Sequence, residues 1–226
     1  MTIDRDNEQV TVDSSTPRAD WTVIVPVKAT SRGKSRIVLD PGLRQQVAMA
    51  LAIDTVTAAA TARSVLQVVV VAEDPDDGRR LAVIAGVRVH YTHAPSLNAA
   101  IADGLVGVPG PVAVLPGDLP GVTGPEIDDV LELAARQPQT VVADRQGTGT
   151  TLLTALDPAH LQLCYGPDSY RRHQAVGAQP LELPADSWIR RDVDTIEDLA
   201  DIAAGRTGEL VATVLACRSP RAERVC

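Results

Sequence analysis

The stretch PVAVLPGDLPG, residues 111–121, decides the fold that we expect for this chain. Residues 112–115 form a short apolar run, which is typical of a strand buried on both faces of a parallel sheet. Asp118 follows this run, at the end of the strand where open α/β sheets bind their ligands. Gly117 leaves room for another group to approach. The stretch therefore predicts a central strand with an acid at its binding edge.

The carboxylate of Asp118 suits a metal ion. A hard cation such as Mg²⁺ binds few protein carboxylates and takes its other ligands from water and phosphate. The alternative is a solvated acid in a turn. The local pattern gives these two interpretations equal weight.

Strands and helical stretches alternate on both sides of this centre. We predict strands at residues 21–27, 66–72, 87–91, 112–115, 140–143, 152–156 and 180–183. We predict helices at residues 41–56, 76–85, 98–105, 123–136, 167–173 and 195–216. The alternation predicts a single α/β domain with a doubly wound, mostly parallel, Rossmann-like sheet. Because parallel crossovers are right-handed, the loop after the first strand should lie at the same edge as Asp118.

Two helix starts carry capping signals. Asp40 precedes Pro41, which predicts Asp40 as the N-cap and Pro41 as the first helical residue. Thr123, with Glu126 three residues later, has the pattern of a capping box.

Composition and charge exclude some functions. The chain has no Phe, two Trp and three Tyr, so aromatic platforms for single-stranded nucleic acid are not expected. A net charge of −8 argues against a general nucleic-acid surface. One small basic pocket for a nucleotide is still compatible with this charge.

Cysteine usage and the two ends of the chain indicate a cytoplasmic protein. Cys164, Cys217 and Cys226 are odd in number and lack metal-ligand spacing, which favours reduced, incidental thiols. Residues 1–20 are polar and acidic, so we expect neither a signal peptide nor a membrane anchor there. We interpret 1–20 and 218–226 as mobile tails around a domain at 21–217.

The first group of candidate functional residues is a basic loop. Residues 28–36, KATSRGKSR, place four cations directly after the first buried strand. Such a loop can neutralise a polyphosphate, with lysines as point charges and arginines as planar forks. A solvated surface loop is the alternative. The position beside Asp118 favours the functional interpretation.

The second group pairs Asp118 with residues 192–194, DVD. Two carboxylates from distant parts of the chain can hold Mg²⁺ against a phosphate chain. The alternative is that Asp192 and Asp194 only favour the dipole of the helix that follows them.

Two further segments have the pattern of anion sites. The turn at 147–151, GTGTT, offers backbone amides and hydroxyls as anion-binding nests do, although such turns are common. Residues 166–169, GPDS, open a helix whose N-terminus suits phosphate or carboxylate, with ordinary capping as the alternative. No nucleophile and base are placed for covalent catalysis.

Five ordered blocks together resemble one enzyme family. They are VPVKATSRGKSR at 25–36, LPGDLP at 115–120, GTGTT at 147–151, GPDS at 166–169 and DVDTIEDL at 192–199. In this order they resemble the guanylyltransferases of coenzyme F420 biosynthesis, which are related to the molybdenum-cofactor nucleotidylyltransferases. The likeness spans roughly residues 21–204. The chain lacks the very glycine-rich first loop of the wider superfamily.

The resemblance implies a fold of the nucleotide-diphospho-sugar transferase type, Mg²⁺ as cofactor, and transfer of GMP from GTP to phosphoenolpyruvate, as in actinobacterial members. It implies that Asp118 and Asp194, or Asp192 in place of Asp194, bind the metal, and that Asp118 and Lys28 are catalytic. It assigns Thr151, Gly166 and Ser169 to phosphoenolpyruvate. It assigns Lys28, Lys34 and Arg36 to the GTP phosphates and Asn98 to the guanine.

Several alternatives stay open. The acceptor could be 2-phospho-L-lactate, and the reaction could be that of a cytidylyl- or molybdopterin-type nucleotidyltransferase. From another class, the chain could be a GTP-binding sensor without turnover. A sensor needs one ligand site, whereas this sequence carries a second anion site. The sequence leaves the oligomeric state open, with a homodimer as one option, and no membrane or nucleic-acid partner is expected.

Overall fold

Strands and helices alternate through most of the part that the computed structural model describes, residues 20–34 and 36–199. The strands are β1 Trp21–Val27, β2 Val65–Ala72, β3 Val87–Tyr91, β4 Val112–Val114, β5 Gln139–Ala143, β6 Thr150–Ala155 and β7 Gln179–Pro180. The helices are α1 Pro41–Thr61, α2 Pro75–Leu81, α3 Leu97–Leu105, α4 Gly124–Ala134 and α5 Ser169–Ala175, with 3-10 turns at Pro158–His160 and Trp188–Arg190.

The strands form one sheet of seven, in the order β3-β2-β1-β4-β6-β5-β7. Every neighbouring pair is parallel except those made by β6, which runs antiparallel to β4 and to β5. The predicted single α/β domain with a mostly parallel sheet is confirmed. β6 reverses direction because only a short turn joins it to β5, and a parallel crossover needs a dozen or more residues.

Two apolar cores cover the two faces of the sheet. Alternate residues of β1 point to opposite faces, as a strand requires. Val23 and Val25 face the core that α1 and α4 complete, whereas Ile24 faces the core that α3 completes. The helices therefore lie on both sides of the sheet, and the carboxyl ends of β1 and β4 lie next to each other at one edge.

Both predicted N-caps are present. Asp40 accepts hydrogen bonds from the amides of the first helical turn, with Pro41 at the first position of α1. Thr123 Oγ1 accepts from the Glu126 amide over 3.4 Å. Glu126 Oε1 turns elsewhere and accepts from Ser187 Oγ at 2.7 Å. The second half of the expected capping box is thus replaced by a contact that ties α4 to a loop far along the chain.

Some predicted boundaries were wrong. The helix at 123–136 ends earlier, with α4 at Gly124–Ala134, and the strand at 180–183 is reduced to β7, Gln179–Pro180. The helix expected from 195 begins with Thr195 as its cap, since Thr195 Oγ1 accepts from the Asp198 amide over 3.2 Å. Its continuation beyond residue 199, and the tails at 1–19 and 218–226, lie outside the described residues. Within the described part, no helix combines the length and apolar character that a membrane span requires.

Asp128 on α4 fastens the turn between α1 and β2. Its carboxylate is buried and accepts from the Ser64 amide at 2.7 Å, the Ser64 hydroxyl at 2.6 Å and the Arg63 amide at 3.1 Å. Removal of the carboxylate would leave these donors without their acceptor in a place that water hardly reaches. This single side chain therefore helps to join two helices across one face of the sheet.

We expect Asp128→Ala to lower the free energy of unfolding by roughly 2–4 kcal/mol, because several buried donors lose their acceptor at once. Asp129, its neighbour on the exposed side of α4, provides a matched control, and Asp129→Ala should change stability by less than about 0.5 kcal/mol. Urea unfolding midpoints at constant m-value measure both changes. Equal midpoints for the two variants would show that the Asp128 contacts do not stabilise the fold.

Candidate active site

A cleft opens at the carboxyl ends of β1 and β4. Its walls come from the loop after β1, the loop after β4, the middle of α1 and the start of α3. The lining residues that matter below are Lys28, Lys34, Arg36, Asp118, Tyr165 and Asp194. The cleft therefore gathers residues from the basic loop, the central stretch and the DVD segment, which the sequence places far apart.

Lys34 lies at the centre of the charged groups in this cleft. Its ammonium forms an ion pair with Asp118 Oδ2, and its Nζ lies 3.3 Å from Asp194 Oδ1. Arg36 Nη1 lies 3.3 Å from Asp194 Oδ2. The backbone of Lys34 has a φ of 55°, in the left-handed region that side chains other than glycine rarely adopt. The structure thus brings Asp118 and Asp194 together around one cation.

The charges of these groups influence one another. Burial works to lower the pKa of Lys34, but the carboxylates of Asp118 and Asp194 outweigh it, so the pKa lies above its ordinary value. Burial, and then the charges of Asp118 and Asp194, raise the pKa of Asp192 to about 7. Three acids therefore lie close enough to influence one another's ionisation, and Lys34 forms ion pairs with two of them.

Main-chain and packing contacts hold the DVD segment in place. The Val193 amide donates to the Asp118 carbonyl over 3.1 Å. The Arg190 guanidinium donates to the carbonyls of Ala143 and Asp144, at 3.3 and 3.2 Å. Trp188 packs against Gly121, where any Cβ would collide with its ring. Residues outside the DVD segment thus fix this loop, and they keep Asp192 and Asp194 close to Asp118.

One carboxylate oxygen in the cleft suits a bound cation. Asp118 Oδ1 is buried and makes no hydrogen bond to any residue in 20–34 or 36–199. Across those same ranges, no group of three or more His, Cys, Asp or Glu side chains forms a ready metal cage. Mg²⁺ needs no such cage, since it binds one or two carboxylates and completes its shell with phosphate and water. The residues present therefore fit Mg²⁺ held with a nucleotide.

Two acids outside the predicted site fix the course of the basic loop. Asp77 on α2 accepts from the Thr30 amide at 2.7 Å and from the Thr30 hydroxyl at 2.9 Å. Glu73 Oε2 accepts from the Ala29 amide at 3.3 Å and from Arg32 Nη2 at 3.0 Å. Sequence reasoning missed both acids, because acids at the start of a helix are expected there for capping alone.

The predicted phosphate-binding cations are not equivalent. Lys34 and Arg36 face carboxylates, and Arg32 faces Glu73. Lys28 follows β1 directly, lines the cleft and is exposed, and it makes no ion pair within the described part of the chain. Of the four cations in the loop, Lys28 is thus the one ready to meet an incoming anion.

The turn at 147–151 differs from the expected anion nest. The amides of Thr148 and Gly149 donate to the Asp144 carboxylate over 2.9 and 2.6 Å. Gly149 lacks room for a Cβ because Asp144 lies against it. The expectation that these amides bind a ligand anion was wrong, since the chain fills the nest with its own carboxylate. Thr151 is buried, with its hydroxyl 3.4 Å from the Ala143 carbonyl.

Ser169 and Gly166 lie beside one another at the start of α5. The Ser169 amide donates to the Gly166 carbonyl over 3.1 Å, and Ser169 Oγ lies 3.2 Å from Thr150 Oγ1. Gly166, Thr151 and Ser169 do not line the cleft around Lys34. They adjoin it through Tyr165, which lines the cleft and precedes Gly166 in the chain. The structure therefore separates the candidate residues into two neighbouring groups.

Asn98 serves the loop that carries Tyr165. Its Oδ1 accepts from the Tyr165 amide at 2.9 Å, and its Nδ2 donates to the Tyr165 carbonyl at 3.2 Å. This geometry gives no support to a contact between Asn98 and guanine, because both of its amide atoms hold backbone groups. Tyr165 Oη is buried without a hydrogen-bond partner among the described residues.

Comparisons with known proteins identify the family to which this chain is similar. A family model described as "Guanylyl transferase CofC like" matches residues 21–211. The chain is 41% identical over 203 residues to a protein of Streptomyces coelicolor named phosphoenolpyruvate guanylyltransferase, covering 87% of this chain and 96% of that one. A protein of Nocardia farcinica with the same name is 38% identical over 189 residues, which cover 78% of this chain and 82% of its own.

Solved structures share the fold at low sequence identity. A candidate nucleotide-diphospho-sugar transferase from Desulfovibrio desulfuricans G20 superposes with a TM-score of 0.65 at 16% identity, over 88% of this chain and 96% of its own. A 4-diphosphocytidyl-2C-methyl-D-erythritol synthase from Anaerococcus prevotii superposes with a TM-score of 0.55 at 13% identity, over 82% and 97%. At these identities the likeness establishes the architecture of the sheet and its helices.

Proposed function

The chain belongs to the family of CofC-like guanylyl transferases, and we propose that it transfers GMP from GTP to phosphoenolpyruvate in coenzyme F420 biosynthesis. The products would be enolpyruvoyl-2-diphospho-5'-guanosine and pyrophosphate. The names of its relatives support this choice of acceptor over 2-phospho-L-lactate. The observation that carries the proposal is the convergence of Asp118, Asp194 and Lys34 in one cleft, beside Lys28, which makes no ion pair with any described residue.

The chemistry has one main obstacle, which is the repulsion between two polyanions. A phosphate oxygen of the acceptor attacks the α-phosphorus of GTP, and the bond from that phosphorus to the bridging oxygen of pyrophosphate breaks. The attacking phosphate is already ionised near neutral pH, so no general base is needed. Positioning and electrostatic stabilisation therefore provide most of the rate acceleration, as in other phosphoryl-group transfers.

Asp118 and Asp194 would hold Mg²⁺ in this cleft, where Asp118 Oδ1 has no hydrogen-bond partner in the described part of the chain. When bound, Mg²⁺ offsets the negative charge of the phosphates and of the departing pyrophosphate. Asp192 is the alternative second ligand if the loop is shifted by two residues, and its charge interacts with those of Asp118 and Asp194. The two-carboxylate arrangement leaves the remaining coordination positions for phosphate and water.

The lysines would act on the GTP phosphates directly. Lys28 is exposed beside the cleft and has no ion pair there within the described residues, so it is free to bind the phosphates that leave as pyrophosphate. Lys34 and Arg36 pair with Asp118 and Asp194, and they would reduce the repulsion between these acids and the incoming phosphates. Catalysis would then be electrostatic, with donors fixed before the substrates arrive.

The second group of residues would hold the acceptor. Ser169 and Gly166 lie together at the N-terminal end of α5, and Thr151 follows Thr150, whose Oγ1 lies 3.2 Å from the Ser169 hydroxyl. Tyr165 precedes Gly166 in the chain and also lines the cleft, so an acceptor held by this group would lie beside the cleft. Thr151, Gly166 and Ser169 are therefore assigned to phosphoenolpyruvate.

Product analysis tests the function. The protein is incubated with GTP, ATP or CTP, each with phosphoenolpyruvate or 2-phospho-L-lactate and MgCl₂, and the diphosphate products are detected by mass spectrometry. We expect a product only from GTP, and mainly with phosphoenolpyruvate. A product from CTP would contradict the nucleotide assignment, and a larger yield with 2-phospho-L-lactate would contradict the acceptor assignment. GTP binding without release of pyrophosphate in any mixture would indicate a sensor instead of an enzyme.

A further inference from the structure

A line of hydrogen bonds runs from a buried histidine to the start of α5. His173 is 0% exposed, and its Nδ1 lies 2.9 Å from Thr150 Oγ1. Ser169 Oγ lies 3.2 Å from the same threonine oxygen and donates to it. On the other side of the imidazole ring, the Cys164 amide donates to Nε2 over 2.9 Å. Four residues therefore connect the backbone at 164 to the Ser169 hydroxyl.

These contacts fix the position of the proton on His173. A backbone amide can only donate, so Nε2 must offer a lone pair to Cys164. Burial, and then the positive charge of Arg172, lower the pKa of His173 to about 4, so the ring is neutral near pH 7. A neutral imidazole carries one proton, which must then be on Nδ1. His173 is thus a fixed donor to Thr150 Oγ1.

The fixed donor determines what Thr150 can do with its own proton. When Thr150 Oγ1 accepts from both His173 and Ser169, its own proton finds no acceptor among the described residues. Hydroxyl protons rotate, so the bond between Thr150 and Ser169 can also run in the opposite direction. Thr150 then accepts from His173 and donates to Ser169, and the Ser169 proton becomes free for a ligand. In this second arrangement, the protons of His173, Thr150 and Ser169 all have acceptors once an anion binds at Ser169.

We propose that His173 is a positioning residue for the acceptor: through Thr150, it orients the Ser169 hydroxyl to donate to an anionic group of the acceptor. This inference rests on the proposed function, in which Ser169 belongs to the acceptor site. All donors in the line then point toward the acceptor, and each hydrogen bond polarises the next one. A hydroxyl that is held as a donor favours an anion over a neutral ligand. His173 acts only through Thr150 and Ser169.

A purely structural role for His173 would use the other side of its ring. Nε2 holds the Cys164 amide, and the ring packs edge-on against Tyr165 with a centroid distance of 4.9 Å. Both contacts stabilise the loop that leads to Gly166. The two roles depend on different ring nitrogens, so different substitutions can separate them.

Asparagine and glutamine each keep one of the two contacts. Asparagine carries its amide group on the γ carbon, to which Nδ1 is attached in histidine, so His173→Asn keeps a donor for Thr150. Glutamine carries its amide group one carbon further, so His173→Gln keeps an acceptor for the Cys164 amide. Thr150→Val removes the hydroxyl that joins His173 to Ser169 while keeping a branched side chain of similar size.

The proposal predicts a change that is specific to the acceptor. His173→Gln and Thr150→Val should each raise the KM for phosphoenolpyruvate about tenfold, because the Ser169 hydroxyl is then no longer oriented to donate to the acceptor. The KM for GTP should change by less than about twofold, since GTP does not use this line. His173→Asn should stay closer to the wild type. The double variant should be no worse than Thr150→Val alone, because both changes break the same line.

Other outcomes would overturn the proposal in distinguishable ways. If Ser169→Ala leaves the KM for phosphoenolpyruvate unchanged, the acceptor site of the proposed function is wrong and the inference falls with it. If Ser169→Ala raises this KM while His173→Gln does not, only the role of His173 is refuted. A larger defect in His173→Asn than in His173→Gln would assign the histidine to the Cys164 contact.

The tautomer of His173 provides a test on the wild-type protein, which does not depend on the folding of any variant. Nitrogen-15 NMR of the histidine rings distinguishes a protonated Nδ1 from a protonated Nε2. We expect the His173 proton on Nδ1 near pH 7. A proton on Nε2 would contradict the proposal, because His173 could then no longer donate to Thr150.

Discussion

Asp118→Asn should lower kcat roughly 10²–10³-fold at saturating Mg²⁺ and GTP, the range seen when one preorganised electrostatic contact is lost. The amide keeps the shape of the carboxylate but removes its charge, so both Lys34 and a cation at Oδ1 lose their anionic partner. The fold should persist, because Asp118 lies after β4 at the rim of the cleft and only half-buried.

Steady-state kinetics with detection of pyrophosphate measures this effect, and urea unfolding verifies that the variant is folded. Asp129→Asn, on the exposed side of α4, is the matched control and should retain the wild-type rate. A wild-type kcat in Asp118→Asn would remove this residue from the mechanism, and the metal site would then have to lie elsewhere.

Lys34→Met should lower kcat/KM for GTP by about 10²-fold, because the variant keeps the length of the side chain and removes its positive charge. The ammonium of Lys34 lies between Asp118 and Asp194, where the acceptor and nucleotide phosphates are expected to meet. Without the Lys34 ammonium, one cation fewer offsets the repulsion between the acids and the phosphates.

The same variant should bind a divalent cation more tightly in the absence of nucleotide. In the wild type, Lys34 competes for the carboxylates of Asp118 and Asp194, so its removal leaves the site more negative. Slower transfer together with tighter metal binding would be hard to explain by misfolding. Arg88→Met, on the exposed strand β3, is the control and should change neither quantity. Unchanged transfer in Lys34→Met would reduce Lys34 to a structural counterion.

The sequence predicted the sheet well because its strands are short apolar runs with clear ends. The central strand and the place of Asp118 followed from the apolar pattern at residues 112–115 alone. The direction of β6 did not follow from the pattern, because its residues are buried throughout, like those of β4, and burial carries no information on direction. The segment between β5 and β6 is too short for the helix of a parallel crossover, and this short length was the signal that β6 runs antiparallel.

The sequence predicted which residues form the candidate site better than it predicted the contacts between them. The pairing of Asp118 with residues 192–194 was predicted, although residues 192–194 lie in a loop after a 3-10 turn and not at the end of a strand. Sequence reasoning assigned Lys34 to phosphate, however, whereas the structure pairs it with carboxylates 84 and 160 residues away. A charge run shows which side chains are cationic, but it does not show which acids the fold brings to them.

The supporting residues were the hardest to predict. Asp77 holds Thr30 from 47 residues away, and Asn98 holds the backbone of Tyr165 from 67 residues away. Neither Asp77 nor Asn98 belongs to a motif, and the sequence alone explains each of them as a polar residue at the start of a helix. His173 likewise follows the pattern of a helix surface in the sequence, yet it is fully buried.

The central claim is that Asp118 and Asp194 hold one divalent cation between them. Electron paramagnetic resonance of Mn²⁺, a spectroscopic substitute for Mg²⁺, measures this directly when nucleotide is left out, since GTP binds the ion itself. We expect Asp118→Asn and Asp194→Asn each to weaken Mn²⁺ binding at least roughly tenfold, and Asp129→Asn to leave it unchanged. Wild-type Mn²⁺ affinity in both site variants would contradict the account.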